Sequence, residues 1–179
     1  MSENNGSTSW QDTASDWLIS IIVAVVLAFC IRTFIVDPYL VSGPSMMPTL
    51  EDRERLLVNK FIYYVRAPQK GEIIVFRYPS DPSRDFIKRV IATGGDTIEV
   101  IDGHTFVNGK ELTEGYIREP FHTNYRKAKV PEGHVFVMGD NRNNSEDSRF
   151  KDVGFVEHRL VKGKASVIFW PISKARVLP

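Results

Sequence analysis

With 179 residues, 42% of them hydrophobic and 25% charged, the chain is long enough for one domain plus a short appendage and too apolar for global disorder. A formal net charge of +1 excludes the strongly basic balance of a nucleic-acid binder, so no nucleic-acid partner is expected. The single cysteine, Cys30, rules out an intramolecular disulfide.

Residues 1–16 are rich in Ser, Asn, Thr and Asp, contain no Lys or Arg, and are read as a disordered tail. Residues 17–31 are apolar and uncharged. At about 1.5 Å per residue they make roughly 22 Å of helix, short of a hydrocarbon core about 30 Å thick. Extending to Val36 gives a transmembrane helix over 17–36, with Arg32 near its end snorkelling to the headgroups and Trp17 at the interface. Cys30 lies inside this run and reads as a small buried hydrophobe. Asp37-Pro38 then ends the helix, because proline lacks a donor and restricts its predecessor. A cleaved signal peptide fits less well, since no basic segment precedes the run and no small-residue exit follows it. A buried core helix apolar all round is unusual in so small a domain. The flank before the helix holds no Lys or Arg, which by the positive-inside rule disfavours a cytoplasmic N-terminus. Residues 1–37 hold one basic and four acidic residues, so the remainder carries 22 basic and 18 acidic ones, a net of +4 that suits an anionic membrane surface.

From residue 37 on, short β-rich runs alternate with turn signals. Strands are expected at 39–42, 56–60, 72–78, 85–92, 97–101, 105–107, 134–138 and 164–170. Asn108-Gly109 is a type I′ hairpin signal. Residues 102–133 read as a hairpin followed by an irregular insertion, with 113–131 a polar loop. The fold class is all-β, mainly antiparallel and partly closed, spanning 37–179 behind one N-terminal transmembrane helix.

Three segments carry chemistry. In Ser42-Gly-Pro-Ser-Met-Met-Pro-Thr-Leu50, Gly43, Pro44 and Pro48 constrain a loop around Ser45, which can present its hydroxyl beside free backbone N–H groups. In Asp85-Phe-Ile-Lys-Arg-Val-Ile-Ala92, strand alternation puts Lys88 between Phe86 and Val90 on one face and Arg89 between Ile87 and Ile91 on the other. A lysine so placed loses hydration and part of its basicity, and a neutral amine can serve as general base for a serine. Taken alone, each segment also has a bland reading: a turn serine, an edge-strand charge. Gly139-Asp-Asn-Arg-Asn-Asn-Ser-Glu-Asp-Ser-Arg149 is too polar for core. It reads as a loop locked by Asp147 with Arg149, or Asp140 with Arg142, where Ser145 and Ser148 offer hydroxyls to a lysine amine. The loop lacks the EF-hand spacing for calcium. His104, His122, His134 and His158 are scattered without metal-ligand spacing, so no metal and no histidine base is expected.

These segments together, with Lys70-Gly-Glu-Ile-Ile-Val-Phe76 and Gly95-Asp96 between them and one anchor before them, resemble the type I signal peptidases (leader peptidases) in their short, Gram-positive-like form. The resemblance runs from Trp17 to Pro171. It implies Ser45 as acylating nucleophile, Lys88 as its base, and Ser145 hydrogen-bonded to the Lys88 amine. It implies an Asp147–Arg149 salt bridge, with Asp140 and Arg142 bracing the loop. Val41, Met46, Leu50, Leu56, Val75, Phe86 and Ile87 would line the substrate pockets, Ile87 only if its strand twists or bulges. The resemblance further implies cleavage after small residues (Ala-X-Ala) in secretory precursors, no cofactor, a lipid bilayer as partner, a cytoplasmic N-terminus and an extracytoplasmic catalytic domain. Gly43 stands where some members carry a serine that helps hold the oxyanion. Two rival readings are a membrane-tethered, non-catalytic β-domain that binds extended peptides and a self-cleaving Ser-Lys regulator. The latter lacks its DNA-binding helices and its cleavage bond here.

Overall fold

The computed structural model of the chain describes residues 10–179, so the first nine positions of the expected tail lie outside the described residues. The chain forms two compact units that part between Ile35 and Val36.

The first unit is helix α1 (Trp10–Cys30) followed by one π-helical turn, Ile31–Ile35. The helix begins within the stretch read as tail, at Trp10. Residues Asp16–Ile35 are long and apolar enough to cross a membrane, and none of them is buried by protein. Cys30 is accordingly exposed on this helix rather than buried in a protein core. The helix is not stopped abruptly at Pro38. It loosens into the π turn, and the chain is already extended at Val36.

The strands of the second unit all pair antiparallel, and its only helical pieces among the described residues are the short turns Ile62–Val65, His158–Leu160 and Ile172–Lys174. Its strands are β1 (Val36–Leu40), β2 (Arg55–Asn59), β3 (Ile73–Tyr78), β4 (Asp81–Thr93), β5 (Thr97–Ile101) and β6 (His104–Val107). They continue with β7 (Lys110–Glu111), β8 (Tyr125–Lys129), β9 (His134–Met138), β10 (Val156–Glu157), β11 (Val161–Trp170) and β12 (Arg176–Val177). The larger sheet runs β1-β2-β11-β3-β4-β9-β10, with β12 on β11; the smaller runs β7-β6-β5-β8. Pro38 is tolerated in β1 because that strand is an edge. The β6–β7 hairpin turns on Asn108 and Gly109, both at positive φ (54° and 77°), as a type I′ turn requires. Within the expected polar loop, Tyr125–Lys129 is instead a strand paired to β5. Its Lys and Arg side chains face solvent at a sheet edge, so it lacks a hydrophobic signature.

The 13-residue β4 organises the unit. It pairs with β3 from Asp81 to Arg89 and with β9 from Arg89 to Thr93. Along 81–88 its second edge therefore has no strand beside it among the described residues. A bulge between Val90 and Ala92 lets both faces of β4 be buried, Val90 in one core and Ile91 with Ala92 in another. A third core under β2, β3 and β11 holds Val41, Met46, Leu50, Leu56 and Val75. The C-terminal strand ties back to this region, where Arg176 donates to Glu54 Oε1 (2.9 Å) and to Thr49 O (2.7 Å).

Candidate active site

The Ser45 loop is set by its own backbone and by what it buries. Gly43 takes φ +88°, and its N–H donates to Asp52 Oδ1 at 2.9 Å. Met47 N–H donates to Pro44 O (3.0 Å) and Leu50 N–H to Met46 O (2.9 Å). Val41 before the serine and Met46 and Leu50 after it are buried in the core beneath, which pins the loop from both sides of the serine. Asn141 N–H donates to Ser45 O (3.0 Å), joining this loop to the 139–149 loop.

Lys88 comes from β4 on the face shared with Phe86 and Val90, as strand alternation requires, and is only 4% exposed. Its Nζ donates to Ser45 Oγ at 2.9 Å and to Ile87 O at 3.0 Å, and lies 5.0 Å from the Phe86 ring centre. Burial pushes the amine down from 10.5 to about 8, against the opposite pull of Asp147, Glu146 and Asp140. A neutral amine at this distance can reverse the hydrogen bond and accept the serine proton.

The 139–149 loop is locked largely as expected, with some partners exchanged. Asp147, fully buried, accepts from Arg149 Nε (2.8 Å) and Nη2 (2.9 Å), from Gly139 N–H (3.0 Å) and from Ser145 Oγ (2.8 Å). Ser145 thus spends its proton on Asp147, and the hydrogen bond to Lys88 that the resemblance implies is not formed. Ser148 is paired to β9, accepting from Val137 N–H at 2.9 Å. Asp140 and Arg142 do not pair with each other. Arg89 presents two N–H groups to Asp140 (Nε at 2.8 Å, Nη2 at 2.6 Å), so the carboxylate is taken by the buried arginine of β4 rather than by Arg142. Thr49 Oγ1 adds a 2.5 Å bond to the same carboxylate. Arg142 turns to Glu114 (2.8 Å), to Thr105 Oγ1 (3.1 Å) and to Gly139 O (3.1 Å).

Ser45 and Lys88 lie in a cleft of about 590 Å³, also lined by Val41, Leu56, Val75, Phe86 and Ile87. Met46 and Leu50 are not in the lining; they pack below it in the core. Sequence reasoning missed Asn144 and Glu146 in the cleft wall and the partners Thr49 and Glu114. Arg89 was visible as a cation between apolar neighbours, a signal that identifies burial but not the partner. Among the described residues no group of three or more His, Cys, Asp or Glu side chains is placed to hold a metal.

An alcohol held against a buried amine in an open cleft is an arrangement in which the amine can take the alcohol's proton. The family described as signal peptidase, peptidase S26, matches residues 14–170. The signal peptidase I of Bacillus licheniformis is 38% identical over 95% of this chain and 96% of its own length. A probable signal peptidase I-1 of Synechocystis is 44% identical over 86% of this chain and 81% of its own. The crystal structure of a signal peptidase I from Enterococcus faecalis superposes with a TM-score of 0.51 at 32% identity, covering 57% of this chain and 99% of that one. The chain belongs to the signal peptidase family, peptidase S26, and is a hydrolase of that family.

Proposed function

We propose that the chain removes N-terminal signal peptides from secretory precursors, cutting after small residues with Ser45 as nucleophile and Lys88 as general base. The observation that carries this reading is the 2.9 Å contact between Ser45 Oγ and the buried, weakened amine of Lys88. The precursor's cleavage segment lies extended along the open edge of β4 at 81–88, adding a strand as peptide ligands do at free sheet edges. Val41, Leu56, Val75 and Ile87 give the cleft an apolar stretch, which suits the methyl side chains of the Ala-X-Ala type.

Lys88 takes the Ser45 proton as Oγ attacks the scissile carbonyl. The Ser45 backbone N–H, which donates to no acceptor among the described residues, faces the developing oxyanion and stands in for the hydroxyl absent at Gly43. The protonated Lys88 then gives its proton to the leaving amine. A water, deprotonated by Lys88, releases the acyl group from Ser45. Asp147 and Arg149 support the loop, and Asp140 and Arg89 brace it from β4. The helix at Asp16–Ile35 anchors the enzyme in the bilayer with its N-terminus cytoplasmic and its catalytic domain outside, because exported precursors are cut on the far side. Arg32 at that side is the exception to the positive-inside rule.

The test is cleavage of a signal-peptide-bearing precursor by the full chain in detergent, comparing wild type with Ser45→Ala and Lys88→Ala. Cleavage after a small residue, lost in both variants, is expected. Cleavage surviving in either variant would remove that residue from the mechanism. No cleavage by wild type would favour the tethered peptide-binding domain.

A further inference from the structure

We infer that Glu114 and Tyr116, in the segment between β7 and β8, are positioning residues that clamp the 139–149 loop in register with Lys88. The inference rests on the Ser45–Lys88 reading above and extends it to a segment with no part in the chemistry.

Arg142 leaves the loop in its first half, and its side chain is completely buried beside Glu114, which is 7% exposed. Glu114 is the carboxylate that neutralises this cation; Thr105 and the Gly139 carbonyl supply only dipoles. Tyr116 holds Glu114 from the other side, donating its hydroxyl to Oε1 at 2.7 Å. The ring of Tyr116 lies 4.1 Å from the guanidinium carbon of Arg89 and 6.0 Å from that of Arg142. Arg89 follows Lys88 directly on β4 and holds Asp140. Tyr116 therefore lies against both arginines that frame the loop, one on the lysine's strand and one in the loop itself, and Glu114 pairs with the second.

The geometry passes onward in few steps. Arg142 O accepts from Arg149 Nη2 at 2.8 Å, and Arg149 holds Asp147. Gly139, whose carbonyl Arg142 grips, donates to the same Asp147. The segment itself is seated firmly: a Cβ at Gly103 would fall 1.9 Å from Phe121 O, so only glycine admits the approach. Asn143 Nδ2 donates to Pro120 O at 3.0 Å. Without the Glu114 charge, Arg142 is an uncompensated buried cation that must drag the loop toward water or distort it.

A positioning role separates from simple support by the pattern of kinetic loss. The loop gives Asn144 and Glu146 to the cleft wall but none of its apolar lining, so its misplacement should lower kcat and leave KM largely alone. The experiment is precursor cleavage by the full chain in detergent, with folding followed by circular dichroism. Glu114→Gln is expected to lower kcat roughly 10–100-fold with KM unchanged, the usual scale for residues acting through another. Glu114→Gln with Arg142→Met, which removes both charges, should recover most of that loss, because the unpaired cation causes it. Tyr116→Phe should cost about threefold in kcat through its one lost hydrogen bond. A wild-type kcat in Glu114→Gln, or a double variant no better than the single one, would overturn the inference. If Glu114→Gln does not fold, Tyr116→Phe decides, and an unchanged kcat there overturns it. The Ser45→Ala control separates the two levels: if it still cleaves, the Ser45–Lys88 reading falls and the clamp with it. If it is inactive while Glu114→Gln matches wild type, the clamp alone falls.

Discussion

Replacing Lys88 with methionine is expected to abolish cleavage and to change how stability responds to pH. The amine is buried and lowered from 10.5 to about 8. That drop of about 2.5 units corresponds to about 3 kcal/mol, at 1.36 kcal/mol per unit. Its sign follows from proton counting. Between pH 8 and 10.5 the unfolded chain keeps a proton on Lys88 that the folded chain has released. Wild-type stability must therefore rise with pH across that window. Below pH 8 the protein carries the full penalty of a buried ammonium, and above 10.5 none of it. Methionine fills much the same volume and has no proton to lose. The stability of Lys88→Met minus that of wild type should thus fall by about 3 kcal/mol between pH 7 and the far side of that window. The bonds lost to Ser45 Oγ and Ile87 O shift the whole difference curve without changing its slope. Urea unfolding of both proteins in the same detergent, at a series of pH values, measures the difference directly. A difference that stays flat with pH would refute the argument, because Lys88 would then titrate alike in the folded and unfolded chains.

On the proposed mechanism the same amine should set the rate. With its midpoint at about 8, kcat/KM should climb about tenfold from pH 7 to 9 and then level off, whereas an ordinary lysine would show no plateau there. Asp140→Ala strands Arg89, 4% exposed, without its carboxylate and should cost about 3–5 kcal/mol in urea unfolding; Asp52→Ala, at an exposed site, should cost little. Gly139→Ala places a methyl 2.2 Å from Ser145 Oγ and 2.5 Å from Ser45 O, so cleavage should fall roughly 10²-fold while circular dichroism stays native. A Gly139→Ala enzyme with normal rates would show that the loop tolerates displacement.

Much of the site was legible because its signals are local. Lys88 between Phe86 and Val90 is a period-two pattern, and the strand obeys it, so burial and a weakened amine followed from alternation alone. Ser45 stands in a loop whose shape glycine and proline dictate. The Asp147–Arg149 pair, two residues apart, was also readable. Asp140 and Arg142 have the same spacing and were misread, because competing partners arrive from β4 and from the segment after β7. Met46 and Leu50 are next to the serine in sequence yet point into the core, and chain proximity cannot tell a pocket wall from its floor. Strand β8 was missed because its outward side chains are basic and its partner, β5, lies more than twenty residues earlier.

The sequence by itself determined the apolar helix, the β-rich class, the hairpin at Asn108-Gly109 and the burial of Lys88, each resting on periodicity or on backbone preferences a few residues long. Only the tertiary structure decided that Ser45 and Lys88, 43 residues apart, meet at 2.9 Å, and which carboxylate neutralises each buried arginine. The reason is physical. A buried cation needs some anion, but which one it finds depends on the strand order that brings distant segments together.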